Sequence, residues 1–238
     1  MIFRLEERQS DSPFVERIWW AQSERPGSFS SLATSQWEMV ISRYHGETSL
    51  TVRGPETRAT SLDCSIVGAE WVGIIFKHGT VMPYLPASML VNGDIDLPDA
   101  SDTSFWLNGS AWQFPGYDNA DAFVNRLTRE DILVHDSIVE SALRSEPQEL
   151  SPRSVQRHFL HATGLTQGLI RQIERARYAT ILLQQGASIS ATIDQAGYAD
   201  QAHLTRSLKH FVGKTPAQII RKSEPEQLSL LYQTGSFS

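Results

Sequence analysis

The chain has 238 residues, 40% of them hydrophobic and 20% charged, with a net charge of −6 and a single cysteine. That length buries one large core or two modest ones, and the composition excludes a disordered or collagen-like chain. Cys64 alone excludes an internal disulfide and fits a reducing, cytoplasmic compartment; the opening MIFRLEERQSDSPFVERIWW has no apolar core of signal-peptide length, and the uncharged stretch Gly79 to Gly93 is broken by Pro83 and Pro86, so no membrane span is expected.

From Phe14 to about Trp112 the pattern is short and strand-like. Strands are predicted at Val15–Trp20, Trp37–Arg43, Thr48–Val52, Ser65–Val67, Val72–Phe76 and Phe105–Leu107, separated by turn-rich stretches such as Arg25-Pro-Gly-Ser, His45-Gly and Arg53-Gly-Pro. Such spacing predicts a small β-barrel or sandwich over residues 1–116. Trp19, Trp20, Trp37 and Trp71 lie in or beside these strands and either line a cavity or fill the core. Neighbouring Trp19 and Trp20 point to opposite faces, so at most one is inside and the other is free for an interface. A ligand pocket is expected among Trp20, Trp37, Glu38, Tyr44, His45 and Trp71.

The same half offers little for catalysis. His45 and His78 stand apart and no His-x-His occurs, so neither a metal nor a cofactor is expected. The run NGDIDLPDASD lacks the Gly and terminal Glu of a calcium loop and reads as a solvated loop. No GxSxG, P-loop or GxGxxG occurs, no catalytic residue is assigned, and Cys64 reads as a buried spectator thiol.

From Asp118 the period becomes helical. Ala122, Phe123 and Leu127, then Ile132, Val139, Ala142 and Leu143, predict connecting helices over 117–149, with Asn119 or Asp121 as N-cap. Two segments of one design follow in residues 150–222. In SPRSVQRHFLHATGLT, Ser151 caps a helix with Val155 and Phe159 on one face and Gly164 at its end. In ADQAHLTRSLKHFVGKTP, Asp200 caps a helix with Leu204, Leu208 and Phe211 inward and Gly213 at its end. Between them Gly168–Gln185 reads as one long helix, then Ser190–Tyr198 and a turn at Gly197 complete a helix-turn-helix. The tail 223–238 is polar apart from Leu228–Tyr232.

Charge divides along the same line. Residues 151–222 carry ten Lys and Arg against three acids, a surplus of +7; residues 1–150 carry eleven against twenty-two, or −11; Glu224 and Glu226 complete the −6. A basic module on an acidic body suits a protein that meets phosphates at one end.

The run GYADQAHLTRSLKHFVGKTPAQI resembles the C-terminal signature of AraC/XylS-type transcription regulators, with Gly197, Tyr198, Asp200, Gln201, His203, Leu204, Arg206, Phe211, Gly213, Thr215 and Pro216 at the family's positions. The resemblance implies an all-α domain with two helix-turn-helix units joined by a long helix. Its base-reading places fall on Arg153, Gln156 and Arg157, and on Gln201, Ala202, His203 and Arg206; phosphate contacts are expected from Ser151, Arg171, Arg175, Asp200, Thr205, Lys209 and Lys214. Arg pairs with guanine and Gln with adenine, while an Ala methyl packs on thymine. The phrases VERIWW, QWEMVISR and VGIIFKHG are similar to the family's cupin-like N-terminal domain, so the implied whole is an α+β protein of two domains. One departure stands out: before the LS-x-R start at Leu150, the only candidate positioning helix is Ile138–Arg144, followed by SEPQELSPRS with Pro147 and no glycine. A longer or irregular connection is expected there, leaving more base reading to the second helix or the first at an unusual angle.

The expected function is a sequence-specific DNA-binding transcription regulator and not an enzyme. Double-stranded DNA is the expected partner, with RNA polymerase, a small-molecule effector and a second copy of the chain as further ones. Two alternatives are an enzyme or DNA-repair factor with its chemistry in the first half, and a ligand-independent dimeric DNA-binding protein.

Overall fold

The computed structural model describes residues 2–221 apart from 145, 147 and 148, so Pro147 and the cluster Leu228–Tyr232 lie outside the described residues. The β-rich part comprises β1 (Phe3–Arg8), β2 (Val15–Ser23), β3 (Gly27–Ser31), β4 (Glu38–Tyr44), β5 (Glu47–Arg53), β6 (Thr60–Cys64), β7 (Glu70–Phe76), β8 (Thr80–Val81), β9 (Asp94–Asp96), β10 (Asp99–Ser101), β11 (Ser104–Leu107), β12 (Ser110–Gln113), α1 (Ala120–Arg129) and β13 (Val134–His135). The helical part comprises α2 (Ser137–Leu143), α3 (Pro152–Thr163), α4 (Gln167–Gln184), α5 (Ile189–Ala196), α6 (Gln201–Phe211) and α7 (Pro216–Ile220).

The main sheet is antiparallel in the order β1-β2-β7-β4-β5-β9. Alternate residues divide between its faces. On one face Ile18, Met39, Ile41, Leu50, Val52, Val72, Ile74 and Phe76 form a core with Phe105, Leu107 and Trp112 of the β10-β11-β12 sheet and with Phe123, Val124 and Leu127 of α1. On the other face Trp19, Ala21, Val40 and Ile75 lie under the β3–β6 ribbon, an arrangement that makes the domain a sandwich of unequal layers.

Several sequence expectations change here. The strand expected at Ser65–Val67 lies earlier, at Thr60–Cys64, where it pairs with β3, and Gly27-Ser28 of the expected turn opens β3. Trp19 and Trp20 do face opposite ways, yet neither is free for an interface: both faces of the sheet are covered, so Trp19 is buried and Trp20 packs half-buried on the main core. The run around Asp94 to Asp102 is not all loop, since exposed strands β9 and β10 occupy much of it. The span 117–149 is not a separate connector. α1 completes the core of the β-rich domain, β13 pairs with β8, and α2 contributes Val139 and Ala142 to the helical core.

In the helical domain the apolar periodicity does what it predicts. Phe159, Leu204, Leu208 and Phe211 are buried with Ile170, Ile173, Ala176 and Ala179 along α4. Each reading helix opens on its expected cap: Ser151 Oγ accepts from the Ser154 N–H, and an Asp200 carboxylate oxygen accepts from the His203 N–H at 2.7 Å. Side-chain bonds join the helices α2, α3 and α4. Asp136 accepts from the Ile138 N–H to cap α2 and pairs at 2.6 Å with His158 Nδ1 of α3, while Gln167 Nε2 of α4 donates to the Ala142 carbonyl.

α3 ends at Gly164 in the left-handed region, φ 69, and α5 at Gly197, φ 68. A Cβ at Gly164 would stand 2.5 Å from Val91 and 2.8 Å from the Ser88 backbone, whereas at Gly197 nothing lies within 4 Å. Gly197→Ala is therefore expected to cost about 1 kcal/mol for the left-handed backbone alone. Gly164→Ala should cost roughly 1–3 kcal/mol more, because the chain at Ser88 must shift. Urea denaturation of the two variants checks this; equal costs would show that α3 is not seated on that segment.

Candidate nucleic-acid interface

α3 precedes α4 in the chain and α6 follows it, and the 18 residues of α4 give a rod of roughly 27 Å at 1.5 Å per residue. Arg153, Gln156 and Arg157 of α3 are exposed, as are Gln201, Ala202 and Arg206 of α6, each group opposite the buried apolar stripe of its helix. Both faces are open to solvent. His203 differs: it is half-buried with its ring edge-on to Tyr198 at 5.0 Å. Tyr198, whose hydroxyl lies 3.0 Å from Ser207 Oγ, ties the glycine turn to α6, and burial raises its phenol above the usual value.

The residues expected on phosphates divide into two groups. Arg171 and Lys209 are exposed, and Thr205 and Lys214 are half-exposed, on the helical surface. Ser151 and Asp200 spend their side chains on caps, and the Asp200 carboxylate repels a phosphate, so its place in the pattern is structural. Arg175 is half-buried with its guanidinium 5.7 Å from the Tyr198 ring, and Arg177 faces the β-rich domain beside Arg17 and Glu174.

Contacts that the sequence reading missed join this interface to the first domain. Leu32, Ala33 and Val81 of the β-rich domain are buried in the helical core. The Ala33 N–H donates to the Phe211 carbonyl and the Ala59 N–H to the His210 carbonyl, both at 2.9 Å, at the C-terminal end of α6. Ser35 Oγ donates to Glu174 of α4 at 2.7 Å and lies 2.9 Å from His78 Nε2.

Beside these contacts, between the second face of the main sheet and the β3–β6 ribbon, lies a cavity of about 450 Å³. Of the pocket residues expected from sequence, Glu38 and Trp71 line it. Trp37 does not: it stacks on Phe76 at 4.0 Å in the main core and donates its indole N–H to the Thr80 carbonyl. Trp20 packs on that core too, and Tyr44 and His45 form the exposed β4–β5 hairpin, where His45 takes φ 53. Strand parity carries the distinction. Trp37 shares the parity of Met39 and Ile41 on the core face, whereas Glu38 shares that of Val40 on the cavity face. Trp19 and Cys64, not assigned to the pocket from sequence, also line it. Glu38 is 8% exposed and accepts from Trp19 Nε1–H at 3.1 Å; burial raises its carboxyl above the usual value, against the opposing pull of Arg53 at 3.5 Å.

Residues 148–222 match the family model of a helix-turn-helix domain. A curated relative, the HTH-type transcriptional regulator RipA of Corynebacterium glutamicum, is 36% identical over 73 residues, a match that covers 31% of this chain and 22% of RipA. The chain thus spans less than a quarter of the length of the relative it matches. The matched segment contains the run Gly197–Ile219 that resembles the AraC/XylS-type signature. Over the whole chain, ToxT of Vibrio cholerae is similar in structure at 10% identity and a TM-score of 0.39, covering 93% of this chain and 98% of ToxT. ToxT bound to (E)-4-(8-methylnaphthalen-1-yl)but-3-enoic acid gives 10% identity, a TM-score of 0.40, and coverage of 93% and 99%.

Burial holds the His78 imidazole below its usual value of 6.5, with Arg177 adding to that and Glu174 and Glu16 opposing it. The folded state thus resists a proton that the unfolded chain accepts near 6.5, and the stability this group confers is present above that pH and lost as pH falls below it. The melting temperature of the wild type should accordingly fall more steeply than that of His78→Gln when pH is lowered from about 7 to about 5. Parallel curves would remove His78 from the pH response.

Proposed function

We propose that the protein is a cytoplasmic, sequence-specific DNA-binding transcription regulator, and not an enzyme, whose β-rich domain takes up a small molecule. The observation that carries the DNA reading is the pair of capped helices, α3 and α6, which present exposed Arg and Gln faces and are separated in the chain by α4. The +7 surplus of residues 151–222 supplies the sequence-independent attraction to phosphates.

Effector control is supported by what the cavity shares with the helix seat. Ser31, Leu32, Thr34 and Glu56 line the cavity. Thr34 and Glu56 exchange backbone hydrogen bonds at 2.9 Å, and the intervening Ala33 holds the Phe211 carbonyl. An occupant that displaces this segment displaces the support of α6.

Arg206→Ala is expected to lose roughly 1–3 kcal/mol of discrimination between operator and random duplex, the worth of one good bidentate base contact. Arg153→Ala should lose a comparable amount, a reading supported by the Asp136–His158 pair that ties α3 to the start of α2. Gel-shift titration on both duplexes reads this, and unchanged discrimination in either variant would take that residue off the reading face.

Lys209→Ala, by contrast, should weaken specific and random binding alike and reduce the slope of log K against log salt by about 1. Titrations across a salt series measure it. A selective loss on the operator would place Lys209 at a base.

A further inference from the structure

We propose that the cavity between the main sheet and the β3–β6 ribbon selects a flat organic cation, a ligand with an aromatic or conjugated body and one positive nitrogen. This rests on the reading of the β-rich domain as an effector-binding module and names the class of effector.

The walls supply the first reason. Trp19, Trp71, Phe3 and Phe29 line the cavity, with Phe3 edge-on to Phe29 at 5.1 Å and to Trp71 at 5.9 Å. Gly73 makes room for the Trp19 ring, since a Cβ there would stand 2.0 Å from it. A volume of about 450 Å³ suits a two-ring body, and aromatic rings attract a cation through their negative faces.

Charge supplies the second. Four carboxyls, Glu38, Glu56, Asp63 and Asp94, line the cavity against one guanidinium, Arg53. Arg53 is already divided between Glu38 at 3.5 Å and Glu56 at 3.3 Å, so an anion would have to take it from both while facing the remaining acids. Asp63 and Asp94 are exposed at the rim, where they favour entry of a positive ligand, and Glu38 lies deep. Glu38 accepts one indole N–H at 3.1 Å, whereas a carboxylate has about four acceptor positions, so capacity remains for a donor from the ligand. Beside a carboxylate as buried as Glu38 a cation is held more strongly than in bulk solvent.

The test uses the full chain and three probes with one ring body: 2-naphthylmethylammonium, 2-naphthalenemethanol and 2-naphthoate. Calorimetric titration should show the ammonium binding about tenfold tighter than the alcohol, with naphthoate weakest. Glu38→Gln should bring ammonium and alcohol together without abolishing the alcohol, and Trp71→Leu should weaken the ammonium by about tenfold. If Glu38→Gln does not fold, as its melting curve would show, the wild-type ranking and Trp71→Leu decide. Naphthoate binding tightest, or the alcohol equal to the ammonium in the wild type, overturns the cation assignment while leaving an effector module standing. No binding by any of the three overturns both, and the gel-shift measurement of DNA binding remains independent of either result.

Discussion

Two backbone hydrogen bonds, from the N–H groups of Ala33 and Ala59 to the carbonyls of Phe211 and His210, fix how the two halves of the molecule work together. A helix leaves its last carbonyls without partners inside itself, and something else must satisfy them. At the end of α6 that partner is the other domain. At the end of α3 the equivalent place is taken by close packing, where Gly164 lets the helix terminus come against Ala87, Ser88 and Val91. Both α3 and α6 are thus supported at their C-terminal ends, while Arg153 and Gln201 in their first turns are exposed.

That domain can act as a support because its main sheet is covered on both faces with different chemistry. One face is almost wholly apolar and packs against β10–β12 and α1. The other carries Glu38, Thr51 and Arg53 among aromatic residues and is roofed by a ribbon of only two strands. A carboxyl as buried as Glu38 is costly without partners, and the Trp19 indole and the Arg53 guanidinium meet that cost only in part. A polar group retained at such a site is more readily explained by a ligand than by packing, for which an apolar residue of similar size would serve.

Helices α2 to α6 are legible in the sequence to within a residue or two, because caps, periodicity and terminal glycines coincide there: Ser151, Asp200, Gly164 and Gly197 all take the roles their positions predict, whereas the short α7 is not. The β-rich half was legible in kind but less so in detail. Strands β1 and β3 mix charged or small residues with few β-branched ones, so they are recognisable only through their partners in the sheet. The assignment of α1 to a connector followed from its position in the chain, and nothing local reveals that Phe123 and Val124 pack on Phe105 and Trp112. The interdomain contacts were invisible for the same reason, since two of the decisive groups are the main-chain N–H groups of alanines. The absent glycine before α3 is legible as a departure from the family pattern, whereas the bonds of Asp136 to both α2 and α3 are not, because they join residues far apart in the chain.

In the proposed regulator an occupant of the cavity alters DNA binding only by as much as it prefers one arrangement of the helices over another. The polar contacts across the domain boundary set the scale. The bonds at Ala33, Ala59 and Ser35 are each worth about 1 kcal/mol net. Together they match the 1–3 kcal/mol, roughly 5- to 150-fold, that commonly couples two sites. The apolar contacts are a different matter: Leu32, Ala33 and Val81 are buried in the helical core, and full separation would expose them along with Phe211. The economical response to an occupant is therefore a shift of the 31–34 segment with the apolar contacts kept, which tilts α6 relative to α3 rather than releasing it. Because α3 rests on a different part of the domain, Ala87 to Val91, such a shift changes the relation between the two reading helices, and that relation is what a pair of adjacent major-groove sites senses.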